Sequence, residues 1–156
     1  MVVRFRVIMY QMGCWERFKN TLFIINTIIK MLPILLFIVS YDLWNYFVHR
    51  LLHTKYLYPY HKLHHQTLET KWQDTFRASL LENSVSCIGS IFPIFFIQYT
   101  WFDLIIANIV CFVKGVAYHD PRFAFSDHHL QHHKKGIGNY GEYWIDLVFQ
   151  TKLDTI

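Results

Sequence analysis

The chain alternates long apolar stretches with short polar segments, and the polar segments carry nearly all of its histidines. Leu22 to Ile29 is apolar, and Lys30 interrupts it. Pro33 suits the first position of a helix, where its missing N–H costs nothing. From Pro33 to His53 the pattern predicts one uninterrupted helix, which would span roughly 31 Å, about the hydrocarbon thickness of a bilayer. Its first two thirds are apolar, and its last turns carry Asp42, Tyr46, His49, Arg50 and His53. This is the pattern of a membrane helix whose end projects a polar face beyond the lipid. Residues 1–20 are mixed and basic, and are expected to form an interfacial lead-in.

Pro59 is expected to start a second helix bearing His61, His64 and His65. A polar stretch, 66–77, follows with Lys71, Asp74 and Arg77, and then an apolar region from Ala78 to Val113 broken near Gln98–Asp103. It predicts a helical hairpin, roughly 78–98 and 103–118, each arm near the lower length limit for a span. Ser126 is a good N-cap and Asp127 suits a first turn. A short helix with His128, His129, His132 and His133 should follow, stopped by Gly136 and Gly138. The fold class predicted is all-α, an integral membrane helical protein.

Composition sharpens that picture. Of 156 residues, 53% are hydrophobic and only 17% charged, more apolar surface than a small globule can hide. The length suits one domain, 1–156, with a lead-in over 1–30. The net charge of +4 is modest and its Lys and Arg residues are scattered, which argues against nucleic-acid binding. Cys14, Cys87 and Cys111 share no metal-ligand spacing and are expected to be buried thiols. The N-terminus lacks the apolar stretch of a secretory signal.

Nine of the ten histidines fall within 49–53, 61–65 and 128–133, and only His119 stands apart. His49 and His53 are four apart, so on a helix they point the same way. His61, His64 and His65 repeat that spacing, as do His129, His132 and His133, with His128 one turn from His132. Such spacing offers several imidazoles to metals at one place. Imidazole suits iron, zinc, copper and nickel rather than calcium or magnesium. Asp42, Glu82, Asp120 and Asp127 are candidates to fix ring orientation, and Asn139 to cap the third cluster. A carboxylate in a membrane helix needs a partner, so Asp42 is expected to bond a histidine of another segment. For the clusters to build one site, the chain between them must cross the membrane an even number of times, as a hairpin does. Basic residues flanking the clusters, Arg50, Lys55, Lys62, Lys71, Arg77, Arg122, Lys134 and Lys135, place the site on the cytosolic face.

These residues resemble the sterol desaturase and fatty acid hydroxylase superfamily of membrane non-haem iron enzymes. Asp42-Leu-Trp-Asn-Tyr46-Phe-Val-His49-Arg50-Leu-Leu-His53 looks like its Asp-x-x-x-Tyr-x-x-His-Arg-x-x-His box, and His61-Lys-Leu-His64-His65-Gln66 its His-Lys-x-His-His-Gln box. His128-His129-Leu-Gln-His132-His133 is followed by Gly138-Asn139-Tyr140-Gly141, a tail the family also carries. Trp144-Ile-Asp146-Leu-Val-Phe149-Gln150-Thr151 resembles its closing Trp-x-Asp-x-x-Phe-Gly-Thr, with Gln150 in place of glycine. Ser79-Leu80 stands where many sterol-acting members have His-Pro, and members are usually longer at the N-terminus.

The resemblance implies two iron ions, with zinc as the alternative occupant of a purified sample, held by the clustered histidines and by His119. It implies attack on a lipid C–H bond, of a sterol or a fatty acyl chain, using O2. Hydroxylation and desaturation both remain open. No Gly-x-Gly-x-x-Gly is visible, so electrons are expected from an external NAD(P)H-dependent reductase or b-type cytochrome. The expected location is the endoplasmic reticulum or an equivalent membrane. Two other classes compete: a zinc hydrolase, for which no box offers a carboxylate base, and a truncated, non-catalytic metal-binding membrane protein.

Overall fold

The computed structural model describes residues 2–123 and 127–153, which are helical or irregular with no strand among them. Its helices are α1 (Val2–Leu52), α2 (Tyr58–His61), α3 (Leu80–Ile91), α4 (Trp101–Tyr118), α5 (His128–Lys135) and α6 (Tyr143–Val148). Three 3-10 turns, His64–Gln66, Trp72–Phe76 and Phe92–Phe95, join them. The chain divides into two compact units, Met1–Pro33 and Ile34–Ile156.

In the first unit the side chains from Trp15 to Leu32 are exposed all round, among them Phe23, Ile24, Ile28 and Ile29. Such a surface suits lipid rather than water. Trp15–Leu52 and Trp101–Tyr118 are both long and apolar enough to cross a membrane. The expected helix start at Pro33 is corrected: α1 runs through it. Proline there removes one backbone bond, whereas ending the helix within an apolar run would bare several, so continuation is the cheaper arrangement in lipid.

In the second unit, Trp44 of α1 donates its indole N–H to the Val85 carbonyl of α3 at 2.9 Å. Its ring lies so close to Gly89 that a Cβ there would fall 2.3 Å from it. Tyr46 is fully buried, stacked on Phe149 with ring centroids 4.9 Å apart. Both helices expected of the hairpin form, except that the first is a 12-residue α-helix prolonged only by the turn containing Pro93. Pro93 lacks the N–H that would continue α3. Ser79 caps α3, accepting from the Glu82 amide, and Thr100 and Asp103 cap α4 reciprocally.

Of the cysteines, Cys111 is buried as expected but Cys87 is exposed. The buried positions of α3 are Glu82 and Gly89, and Cys87 falls off the face they define. Ser126, expected to cap α5, lies outside the described residues, as do the terminal residues 154–156.

Candidate metal centre

Separate elements deliver the histidines. His49 sits in the last turn of α1 and His53 just beyond it. His61 ends α2, His64 and His65 occupy the following 3-10 turn, and His119 caps α4. His129, His132 and His133 lie on α5. They converge as two sets: His49, His53, His61, His65 and His132 in one, and His64, His119, His129 and His133 in the other. Within each set the nitrogens offered lie within 4.8 Å of one another. The sets adjoin, since the His65 and His133 rings are 4.7 Å apart.

This partition keeps His49 and His53 together but corrects the expectation that the second and third boxes each present one face. The second box is not a single helix: α2 ends at His61 and a tighter turn follows. His65 therefore comes back to His61, Nε2 to Nε2 at 3.0 Å, while His64 turns to His119. On α5, His132 and His133 differ by about 100° around the axis, and so serve opposite sets.

Ring orientation is set from outside the sets. The Nδ1–H of His49 donates to the Tyr140 carbonyl at 2.7 Å, that of His132 to Gly138 at 2.6 Å and that of His119 to Gly115 at 2.7 Å. His64 donates to the Arg77 carbonyl at 3.3 Å and His61 to Glu82 Oε1 at 2.9 Å. Carbonyl and carboxylate oxygens only accept, so these rings carry their proton on Nδ1 and turn a bare Nε2 inward.

A metal fits this donor set. The Nε2 atoms of His64 and His119, both left without a proton, face each other at 3.1 Å. The buried Nε2 atoms of His49 and His53 have no hydrogen-bond partner at all. Lone pairs in such positions are costly unless a cation lies between them. Burial, reinforced by neighbouring imidazoles, holds His64 and His129 well below the ordinary 6.5, brings His53 and His65 to about 4, and His61 and His132 to about 2. The rings are therefore neutral, as ligation requires.

His128, also expected in the site, stands outside both sets and donates to Asp146 Oδ2 at 3.0 Å. Among the candidates to orient rings, only Glu82 meets one. Asp42 instead accepts from Lys114 through both carboxylate oxygens at 2.9 Å, because the cation from α4 is the charge that packing brings within reach. Asp120 is clasped by the Arg122 guanidinium, which holds its carboxyl well below the usual range, and accepts from the Trp72 amide. Asp127 is the N-cap residue of α5, and its side chain bonds Gln131. Asn139 bonds backbone, donating to the His128 carbonyl and accepting from the Leu153 amide.

Sequence reasoning missed Lys114 and Glu142, and had Asp146 only as part of the closing motif, without a role. Lys114 was visible as a cation within an apolar run. Asp146 is fully buried and gathers His128, the Thr151 hydroxyl and the amides of Tyr140 and Gly141. It thereby shapes the loop whose Tyr140 carbonyl meets His49. A cavity of about 540 Å³ opens onto the site, touching His49, His61, His64, His119 and His129, and extends along α1, α3 and α4 past Tyr41, Asn45 and Phe112.

A family model for fatty acid hydroxylase matches residues 34–151. Methylsterol monooxygenase erg25B of Aspergillus fumigatus is 32% identical over 78% of this chain and 48% of its own length. Methylsterol monooxygenase 1 of Gallus gallus is 32% identical over 70% of this chain and 42% of its own. The Rattus norvegicus protein of that name is 29% identical over 70% and 43% respectively. The chain thus spans about half the length, or less, of these curated relatives. No solved structure matches it significantly.

Proposed function

Because the chain belongs to the fatty acid hydroxylase family, we propose that residues 33–151 form the catalytic region of a membrane enzyme that oxidises a lipid C–H bond with O2. The observation that carries this reading is the convergence of nine neutral imidazoles at the end of a cavity, five of them held with the bare Nε2 inward. A sterol is the substrate favoured here, on the likeness to proteins named methylsterol monooxygenases, and a fatty acyl chain is the alternative. The metal-holding residues in this reading are His49, His53, His61, His65 and His132 for one ion, and His64, His119, His129 and His133 for the other. Two iron ions held there would supply the redox chemistry that activates O2.

The chain's own part is geometric. Glu82 and the carbonyls of Tyr140, Gly115, Gly138 and Arg77 hold protons on Nδ1 of His61, His49, His119, His132 and His64, so the Nε2 lone pairs of these five rings point inward. The cavity along α1, α3 and α4 admits a lipid from the bilayer, and the lipid filling it keeps water from the reacting carbon. Electrons come from a separate reductase or b-type cytochrome, and the site faces the cytosol of the endoplasmic reticulum or an equivalent membrane. Cysteines placed at Leu68 and Ile137, both exposed, should label from the same side of sealed vesicles. Labelling from opposite sides would sink the shared site.

The activity is tested with iron-loaded protein, reductase, nicotinamide cofactor, labelled O2 and a mixture of sterols and acyl lipids. Labelled hydroxyl or acid product supports hydroxylation, and an unlabelled new double bond supports desaturation. Neither product, with no O2 consumed where a longer relative is active, overturns the reading.

A further inference from the structure

The cavity contains a charged cluster that the metal centre does not use. Lys114 Nζ lies 2.9 Å from both oxygens of Asp42 and 2.8 Å from Glu142 Oε1. Tyr118 donates its hydroxyl to Glu142 Oε2 at 2.8 Å. All four residues line the cavity. The ammonium has three hydrogens, and these contacts occupy all of them. Two carboxylates therefore share one ammonium. Among the described residues, Lys114 is the only lysine or arginine in that lining.

The cluster ties α1 and α4 to Glu142, yet its three side chains keep 10% (Asp42), 25% (Lys114) and 19% (Glu142) of their surface open. Each carboxylate oxygen accepts one hydrogen and retains a lone pair, while the neutral residues Tyr41, Asn45 and Asn108 lie along the same wall. Largely buried acceptors with spare lone pairs, two carboxylates to one ammonium, favour a further donor. A second ammonium would meet Lys114 at the same oxygens, so a neutral donor fits better. A free acid meets repulsion.

We propose that the cavity selects a lipid alcohol, whose hydroxyl donates to Asp42 or Glu142, and rejects fatty acids through the same carboxylates. This rests on the cavity being the lipid's place, as the proposed function has it. It makes the headgroup, rather than sterol or acyl skeleton, the feature recognised.

The test is equilibrium binding of four radiolabelled probes to the full chain in nanodiscs: cholesterol, the ketone of the same skeleton, hexadecanol and palmitate. The alcohol should bind about tenfold or more tightly than its ketone or acid counterpart in both pairs. Asp42→Asn or Glu142→Gln should bring the cholesterol-to-ketone ratio toward one while ketone binding is unchanged, and Glu142→Gln should strengthen palmitate binding. Wild-type protein that binds alcohol and counterpart equally overturns the proposal without any variant, and so does a preference that survives both substitutions. If none of the four probes binds, the cavity is not the lipid's place and the proposal falls with that reading.

Discussion

His61 donates its Nδ1–H to Glu82 Oε1 at 2.9 Å, and this is the one ring of the two sets held by a carboxylate rather than a backbone carbonyl. The pair joins the end of α2 to the first turn of α3, twenty-one residues apart. A carboxylate orients an imidazole and raises its basicity as a ligand. Glu82→Ala should therefore weaken metal binding roughly 10–100-fold, and Glu82→Gln, which retains an acceptor, less. Competition with a chelator of known affinity measures both. Equal affinity in Glu82→Ala and the parent protein would show that the bond does not support the metal.

Acid should act on the same site with a definite sign. His53 and His65 are brought to about 4 in the folded chain against an ordinary 6.5, chiefly by burial. As pH falls below 6.5 the unfolded chain takes up protons that the folded chain refuses, so stability is lost progressively from 6.5 down to about 4. Bound metal should be released as pH drops below about 6, since protons and metal compete for the same lone pairs. Thermal unfolding of the metal-free protein and metal content after dialysis, each across pH 4–8, read the two effects separately. A metal-free protein equally stable at pH 5 and pH 7 would contradict the assignment.

Two glycines beside α5 should respond differently to alanine. Gly136 and Gly138 both have positive φ, 70° and 63°. A Cβ at Gly136 meets nothing within 4 Å, so Gly136→Ala should cost about 1–2 kcal/mol of stability and leave metal content alone. A Cβ at Gly138 would lie 2.8 Å from the Thr151 carbonyl oxygen and from Leu153. Because the Gly138 carbonyl holds His132, Gly138→Ala should also lower metal stoichiometry. Elemental analysis beside a melting curve distinguishes the two cases.

Gln150 departs from the family's glycine and sits at φ 54°. The left-handed region is costly for a side chain bearing Cβ, and glycine there gives back only part of that gain as backbone entropy. Gln150→Gly should stabilise the protein by about 0.5–1 kcal/mol. A lower melting temperature for the variant would show that the glutamine side chain contributes more than its backbone strain costs.

Helix spacing, histidine count and the identity of the boxes were determined by sequence alone, because they depend on residues within one or two turns of each other. The amphipathic end of α1, the hairpin before His119 and the imidazole donor set all follow from that short-range periodicity. Tertiary structure decided the partners. His132 reaches His65 across 67 positions, and Lys114 reaches Asp42 across 72. No local pattern specifies such pairs, since they depend on how separate helices pack. For the same reason His128, one turn from His132 and alike in sequence, faces Asp146 rather than the metal sets. Whether α1 stops at Pro33 was also undecidable locally, because the cost of one lost backbone bond must be weighed against the surroundings that a broken helix would expose.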